Sequence, residues 1–269
     1  MRRLAGWLGA VIVGGALLAA LIGPSFVQDP FAQDIMQRLH PPLWLGGDRA
    51  HWLGTDALGR DYLARLVYGT RISLLIGVAA ASTSGLIGVT LGVVGGYFGG
   101  WVDDAVLFVI TCRLSLPFIL VALAVVSAVG SSLGVVVLTL GLLLWDRFAV
   151  VARVTTMQIR TLDYIAAARA AGASSGYILL REVLPNVAPY LAVVLTLEVA
   201  LAILLEAVLS FLGLGVPPPL PSWGLMIAEG HDYMFFEPWV ITIPGVALFT
   251  LVLGINLLGD GVQDWLRRG

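Results

Sequence analysis

Residues 161–186 read TLDYIAAARAAGASSGYILLREVLPN. The run Leu133 to Val151 precedes them and the run Val187 to Leu209 follows, both almost wholly apolar. Each is close to the roughly 20 residues that a helix needs to cross the hydrocarbon of a bilayer. A polar, alanine-rich island is therefore held between two membrane crossings, too polar to insert and too patterned to be structureless. Tyr164 to Ala171 is dominated by strong helix formers. Asp163 or Thr161 can cap its start, and Gly172 supplies a stop. A second short helix is expected over Ser175 to Val183, ending ahead of Pro185.

Working outward, four more apolar runs appear at Leu4 to Ile22, Ile72 to Val94, Ala105 to Ala128 and Trp239 to Leu258. Their lengths suit helices, whereas barrel strands alternate over about 10 residues. The chain has 269 residues, 59% hydrophobic and 12% charged, against about 25% charged in soluble domains. The expected fold is an all-α integral membrane protein with six transmembrane helices, and the island between spans four and five forms a helix of its own. Residues 1–70 supply an N-terminal span and an external loop, and residues 71–269 the core transmembrane domain. The first run, after Arg2 and Arg3, also has the outline of a signal peptide. No convincing small-residue cleavage site precedes Pro24, which favours a retained span. Gly88, Gly92 and Gly96 form a stripe that lets another helix approach, although a merely glycine-rich helix has the same pattern.

All 15 basic residues are Arg, against 17 acids. Without lysine the chain can hold neither a P-loop nor a Schiff-base cofactor. The net charge of −2 with no basic tract argues against nucleic acid as a partner. Cys112, alone, builds no disulfide and is expected as a small core residue. His40, His51 and His231 lack metal-ligand spacing, so no metal site is expected. With both termini inside, ten Arg face inward: Arg2, Arg3, Arg113, Arg147, Arg153, Arg160, Arg169, Arg181, Arg267 and Arg268. The stretch Ser210 to Pro238 has none, as an external loop should. The segment Pro24 to Arg71 is awkward, since it holds the other five, balanced by Asp29, Asp34, Asp48, Asp56 and Asp61.

Within the spans, Glu198 sits at the centre of the fifth, where an unpaired charge costs about 2.5–3.5 kcal/mol. It should face a polar pathway, a partner or a proton, or else hydrogen-bond as a neutral acid. Glu206 lies eight residues later, about 12 Å nearer the outside, suited to an external gate or to loop packing. Arg113 is expected to snorkel or to pair with an acid. Trp145, Asp146 and Arg147 interrupt the fourth span, with a local Asp146–Arg147 pair as the simplest account.

A short helix gripped between two spans can serve as a handle for another protein, or can lie on lipid headgroups through Tyr164, Ile165, Ile178 and Leu179. The spacing alone leaves both open. The island resembles the EAA loop of ABC importer permeases, in which E-A-A is followed by three residues, G, nine residues and I-x-L-P. Ala167, Ala168, Gly172, Leu184 and Pro185 match, whereas Ala166 stands where Glu is usual and Glu182 where Ile is usual. Three further stretches are similar to the peptide and nickel subfamily: HWLGTDALGRDYLARLVYGTRISL (51–74), EAVLSFLGLGVPPPLPSWGLMIAEG (206–230) and INLLGDGVQDWLRR (255–268). The resemblance implies an inner-membrane permease for peptides or a related solute such as a nickel chelate. It further implies a second homologous permease, two ATP-binding subunits holding ATP and Mg, and an external solute-binding protein, with no cofactor on this chain. It makes Asp163, Tyr164, Ala166, Ala167, Ala168, Gly172, Leu184 and Pro185 the ATPase-coupling surface. An ion-gradient-driven carrier is the competing class, and no internal repeat favours it. An intramembrane enzyme would need a motif that is absent.

Overall fold

A computed structural model describes residues 2–266, with side chains from Leu4 to Leu266. Arg267 and Arg268, and the side chains of Arg2 and Arg3, all counted above as inner bases, lie outside that description. Among the described residues the regular structure is helical, apart from one antiparallel bridge between Thr55 and Asp61. Helix α1 is Arg2–Ile22 and α2 is Tyr62–Phe98. Then come α3 Gly100–Leu114, α4 Phe118–Val129, α5 Leu133–Leu143, α6 Asp146–Ile159, α7 Asp163–Ala170, α8 Ser175–Tyr177, α9 Leu184–Phe211, α10 Trp223–Gly230 and α11 Trp239–Leu266.

The long helix α2 is the spine. Asp61 caps it by accepting the Ala64 amide at 2.7 Å, and its 37 residues make a rod of about 55 Å. The division at 70/71 falls inside this rod. Its glycine stripe packs on α6: a Cβ at Gly88 would lie 2.2 Å from the Trp145 carbonyl oxygen, and one at Gly92 2.3 Å from that of Ala149. At Gly96 it would lie 2.6 Å from the carbonyl oxygen of Arg153. The stripe is thus a helix contact and not simply glycine-rich sequence. Helix α1 runs antiparallel to α11 by the same device, Gly6 meeting Gly261 and Gly9 meeting Leu258.

Among the described residues five stretches are long and apolar enough to cross a membrane, and the pair α3 and α4 makes a sixth only as a broken span. The expected single helix over Ala105 to Ala128 is bent by 82° at residues 115–117. Pro117 cannot donate an amide and disfavours helical backbone at Leu116. Cys112 is exposed on α3, not buried; the bend leaves much of α3 without a covering helix. The helix expected to stop before Pro185 instead continues. Ile178–Val183 is a π-helical turn joining α8 to α9, and its wider spacing accommodates proline where an α-helical turn would meet the ring. The Asn186 side-chain amide donates to the Glu182 carbonyl at 2.6 Å in this turn.

The two polar ends of the bundle are distinct. At one end the start of α2 meets α10 and the start of α11, as the Tyr62 hydroxyl donates to the Val240 carbonyl and Arg65 reaches Glu229. At the opposite end α7 packs on a cluster that includes Tyr97, Ile159, Val183 and Val187.

Candidate functional site

Helix α7 is built as a mounted ridge. Its large apolar residue, Ile165, is wholly buried in that end cluster, with Ala168 half-buried beside it. Ala166, Ala167, Ala170 and Ala171 are exposed, so the outward face is largely alanine methyl groups, flanked by the exposed Asp163, Tyr164 and Arg169 side chains. The C-terminus closes as expected: Gly172 has φ +83°, its amide donates to the Arg169 carbonyl at 3.0 Å, and that of Ala173 to the Ala168 carbonyl at 3.0 Å. These two bonds satisfy carbonyls that the helix end leaves free. The N-terminus differs from expectation. Leu162 occupies the cap position and makes no side-chain bond, while Asp163 is the first helical residue. Thr161 donates instead to the Gln158 carbonyl at 2.8 Å. An acid in the first turn still favours the helix through its dipole. The Tyr164 hydroxyl accepts from Asn186 at 3.3 Å, and the Arg169 guanidinium lies 5.0 Å from the Tyr97 ring centre. Leu184 and Pro185 open α9, the first half-buried and the second exposed.

Midway along the bundle lies a charge cluster contributed by three helices. Arg113 pairs with Asp146 at 3.1 Å and donates to the Leu143 carbonyl, which the break between α5 and α6 leaves free. Arg147 reaches Glu198 at 3.3 Å. The local Asp146–Arg147 pair does not form; adjacent helical residues point about 100° apart, so each acid and base turns to another helix. Glu198 is fully buried, and neither of its oxygens has a hydrogen-bond partner. Glu206 is separate from this cluster. It accepts from Ser210 at 2.7 Å and Ser222 at 2.8 Å, and Ser222 also caps α10 through the Leu225 amide at 3.1 Å. Glu206 therefore joins α9 to α10.

The end of the bundle opposite α7 contains a knot that the sequence marks only as balanced charge. Asp56 accepts from Arg60 and Arg65, each at 2.6 Å, and Arg65 also reaches Glu229 of α10 at 2.7 Å. Arg65 is 1% exposed. Two of the five awkward bases are thus internally neutralised. The Asp56 side chain also receives the Leu58 and Arg60 amides, at 2.8 and 2.9 Å. The spacing of Asp56, Arg60 and Arg65 was visible in the sequence, but Glu229 lies 164 residues from Arg65, beyond any local pattern. Nearby, the His51 and Ala50 amides hold the exposed Asp48 carboxyl below its ordinary range.

This architecture has relatives. The glutathione transport system permease protein GsiD of Pectobacterium atrosepticum is 40% identical over 221 residues, covering 82% of this chain and 73% of the relative. The dipeptide transport system permease protein DppC of Alkalihalophilus pseudofirmus is 35% identical, covering 96% and 84%. A putative peptide transport system permease protein of Brucella suis is 38% identical, covering 99% and 88%. A solved chain of the MetNI methionine ABC transporter, in an inward-facing conformation, shares the fold with a TM-score of 0.61 at 22% identity, covering 74% of this chain and 95% of that one. Residues 88–269, from the glycine stripe of α2 through α11, match the binding-protein-dependent transport system inner membrane component family, and the chain belongs to that family.

Proposed function

We propose that the chain is the permease subunit of an ATP-driven importer of peptides or a related small solute, with α7 as the helix that enters a cleft on a separate ATPase. The observation that carries this reading is the outward face of α7. A helix meant to lie on lipid would turn its large aliphatic residue outward, whereas Ile165 is wholly buried, alanine methyl groups face out, and the partly exposed Tyr164 is tied back to Asn186. Small side chains allow close approach by a rigid partner, and the glycine-closed end and the Tyr164–Asn186 contact hold the helix at a fixed angle to α9. On this reading α7, both termini and the inner Arg face the cytoplasm. A second homologous permease completes the pathway, two ATP-binding subunits carry ATP and Mg, and an external solute-binding protein delivers the cargo. The relatives named for dipeptide and glutathione transport support a substrate of that class. Absence of lysine supports an energy source on another chain.

Disulfide crosslinking tests the assignment in the assembled complex. A cysteine in place of exposed Ala167 should bridge to one in the ATPase cleft, while one at half-buried Ala168 should do so less. Full transport by Ala167→Trp with no crosslink from position 167 would overturn it.

A further inference from the structure

We propose that Arg147, held by Glu198, is a contact for the carboxylate of the transported solute as it passes the middle of the membrane. The inference rests on the importer reading above. Arg147 is one residue past the centre of the apolar stretch 133–159, yet 58% of its side chain is exposed while its partner Glu198 is 1% exposed. A guanidinium at that depth is costly against lipid, so its open side faces either water or protein.

Three observations favour the water-filled pathway. First, the regular helix is interrupted at Leu144 and Trp145, and α6 begins at Asp146. Interrupted backbone at membrane depth is tolerated where it is buried in protein or lines a cavity, and half-helix starts recur at solute sites in transporters. Second, the cluster is already neutral within this chain: Arg113 has Asp146 and Arg147 has Glu198. A permanent acid from a neighbouring subunit would leave three carboxylates against two guanidinium groups in a dry interface, whereas a passing carboxylate imposes that excess only briefly. Third, Glu198 approaches Nη1 alone without making a hydrogen bond, which leaves Nε and Nη2 as a planar fork for a carboxylate. Glu198 is then a positioning residue, and its loose hold suits a contact that must also release.

The test uses the complete transporter in proteoliposomes with its binding protein, and two probes of one shape, trialanine and trialanine amide. Uptake of each is compared between parent and variant, so that any preference of the binding protein cancels. Arg147→Gln should lower uptake of the free acid about tenfold or more, as expected for loss of one charge-assisted hydrogen bond, and that of the amide less than about twofold. Glu198→Gln should narrow the gap between acid and amide, and Arg147→Lys should restore it in part. Equal loss of both probes in an assembled Arg147→Gln complex, or no loss of either, overturns the inference. So does failure of Arg147→Gln to assemble with the other permease combined with equal recovery of both probes by Arg147→Lys, which would assign the charge to a subunit contact. Absence of ATP-dependent uptake of either probe by the parent would instead sink the peptide-importer reading, and this inference with it.

Discussion

Gly92→Ala probes the close contact between α2 and α6 with a single methyl group. The added Cβ would stand 2.3 Å from the Ala149 carbonyl oxygen, 2.8 Å from the Ala152 Cβ and 2.9 Å from the Arg153 amide nitrogen. Two of those three atoms are backbone, so no side-chain rotation relieves the clash and α6 must move off α2 by about 1 Å to reach ordinary contact. Overpacking of this kind costs about 1–3 kcal/mol, and the rigid obstacle argues for the upper half. The gain in helix propensity from Gly to Ala returns up to about 1 kcal/mol. The net is a destabilisation of about 1–2 kcal/mol, equivalent to roughly 2–8 °C for a chain of this size. Thermal denaturation in detergent, followed by monodispersity after heating, reads this directly. Gly14→Ala is the control, because nothing beyond its own stretch of helix lies within 4 Å of its added methyl; it should match or exceed the parent. Equal stability of Gly92→Ala and Gly14→Ala would refute the claim that the stripe sets the α2–α6 distance.

Other outcomes follow from the same geometry. Gly172→Val places a β-branched residue at φ +83° and should strain the end of α7 by about 1–2 kcal/mol; transport should fall while ATP hydrolysis by the complex and membrane insertion persist, as measured in proteoliposomes. Arg65→Met leaves Asp56 buried beside fewer bases and should cost about 3–5 kcal/mol, seen as faster proteolysis of the loop between α1 and α2. Ser222→Ala removes both a helix cap and a bond to Glu206 and should lower stability by about 1–2 kcal/mol, whereas Glu206→Gln, which still accepts both hydroxyls, should cost less in the same thermal assay.

What the sequence made legible was set by local periodicity and composition. Apolar runs marked the spans, and three glycines four residues apart marked a helix contact. A glycine after an alanine-rich run marked a helix end. Where reading failed, the deciding atoms came from elsewhere in the chain. Asp146 and Arg147 looked like a local pair because they are neighbours, and only the packing of α3 and α9 against α6 turned each toward a different partner. The run Ala105 to Ala128 is apolar throughout its second half, so hydropathy passed over a bend that Pro117 imposes. Pro185 misled in the opposite sense: a π-helical turn admits it, and the helix runs on. In α7 the residue types were read correctly, but which alanine faces outward depended on the burial of Ile165, so Ala167 and not Ala168 is the exposed probe position.

The π-helical turn has a thermodynamic consequence. Because the helix does not end at Pro185, residues 175–211 form one continuous member from the base of α7 to Glu206 and Ser210. Glu206 holds Ser222, Ser222 caps α10, and Glu229 of α10 holds Arg65 of the Asp56 knot. Events at the two membrane faces therefore act on a single body. Coupling free energies are reciprocal: if a grip on α7 alters the Asp56–Arg65 knot, a load placed on that knot alters the affinity of α7 for whatever grips it by the same factor. Binding at one end of the bundle and binding at the other would then sense each other through α9.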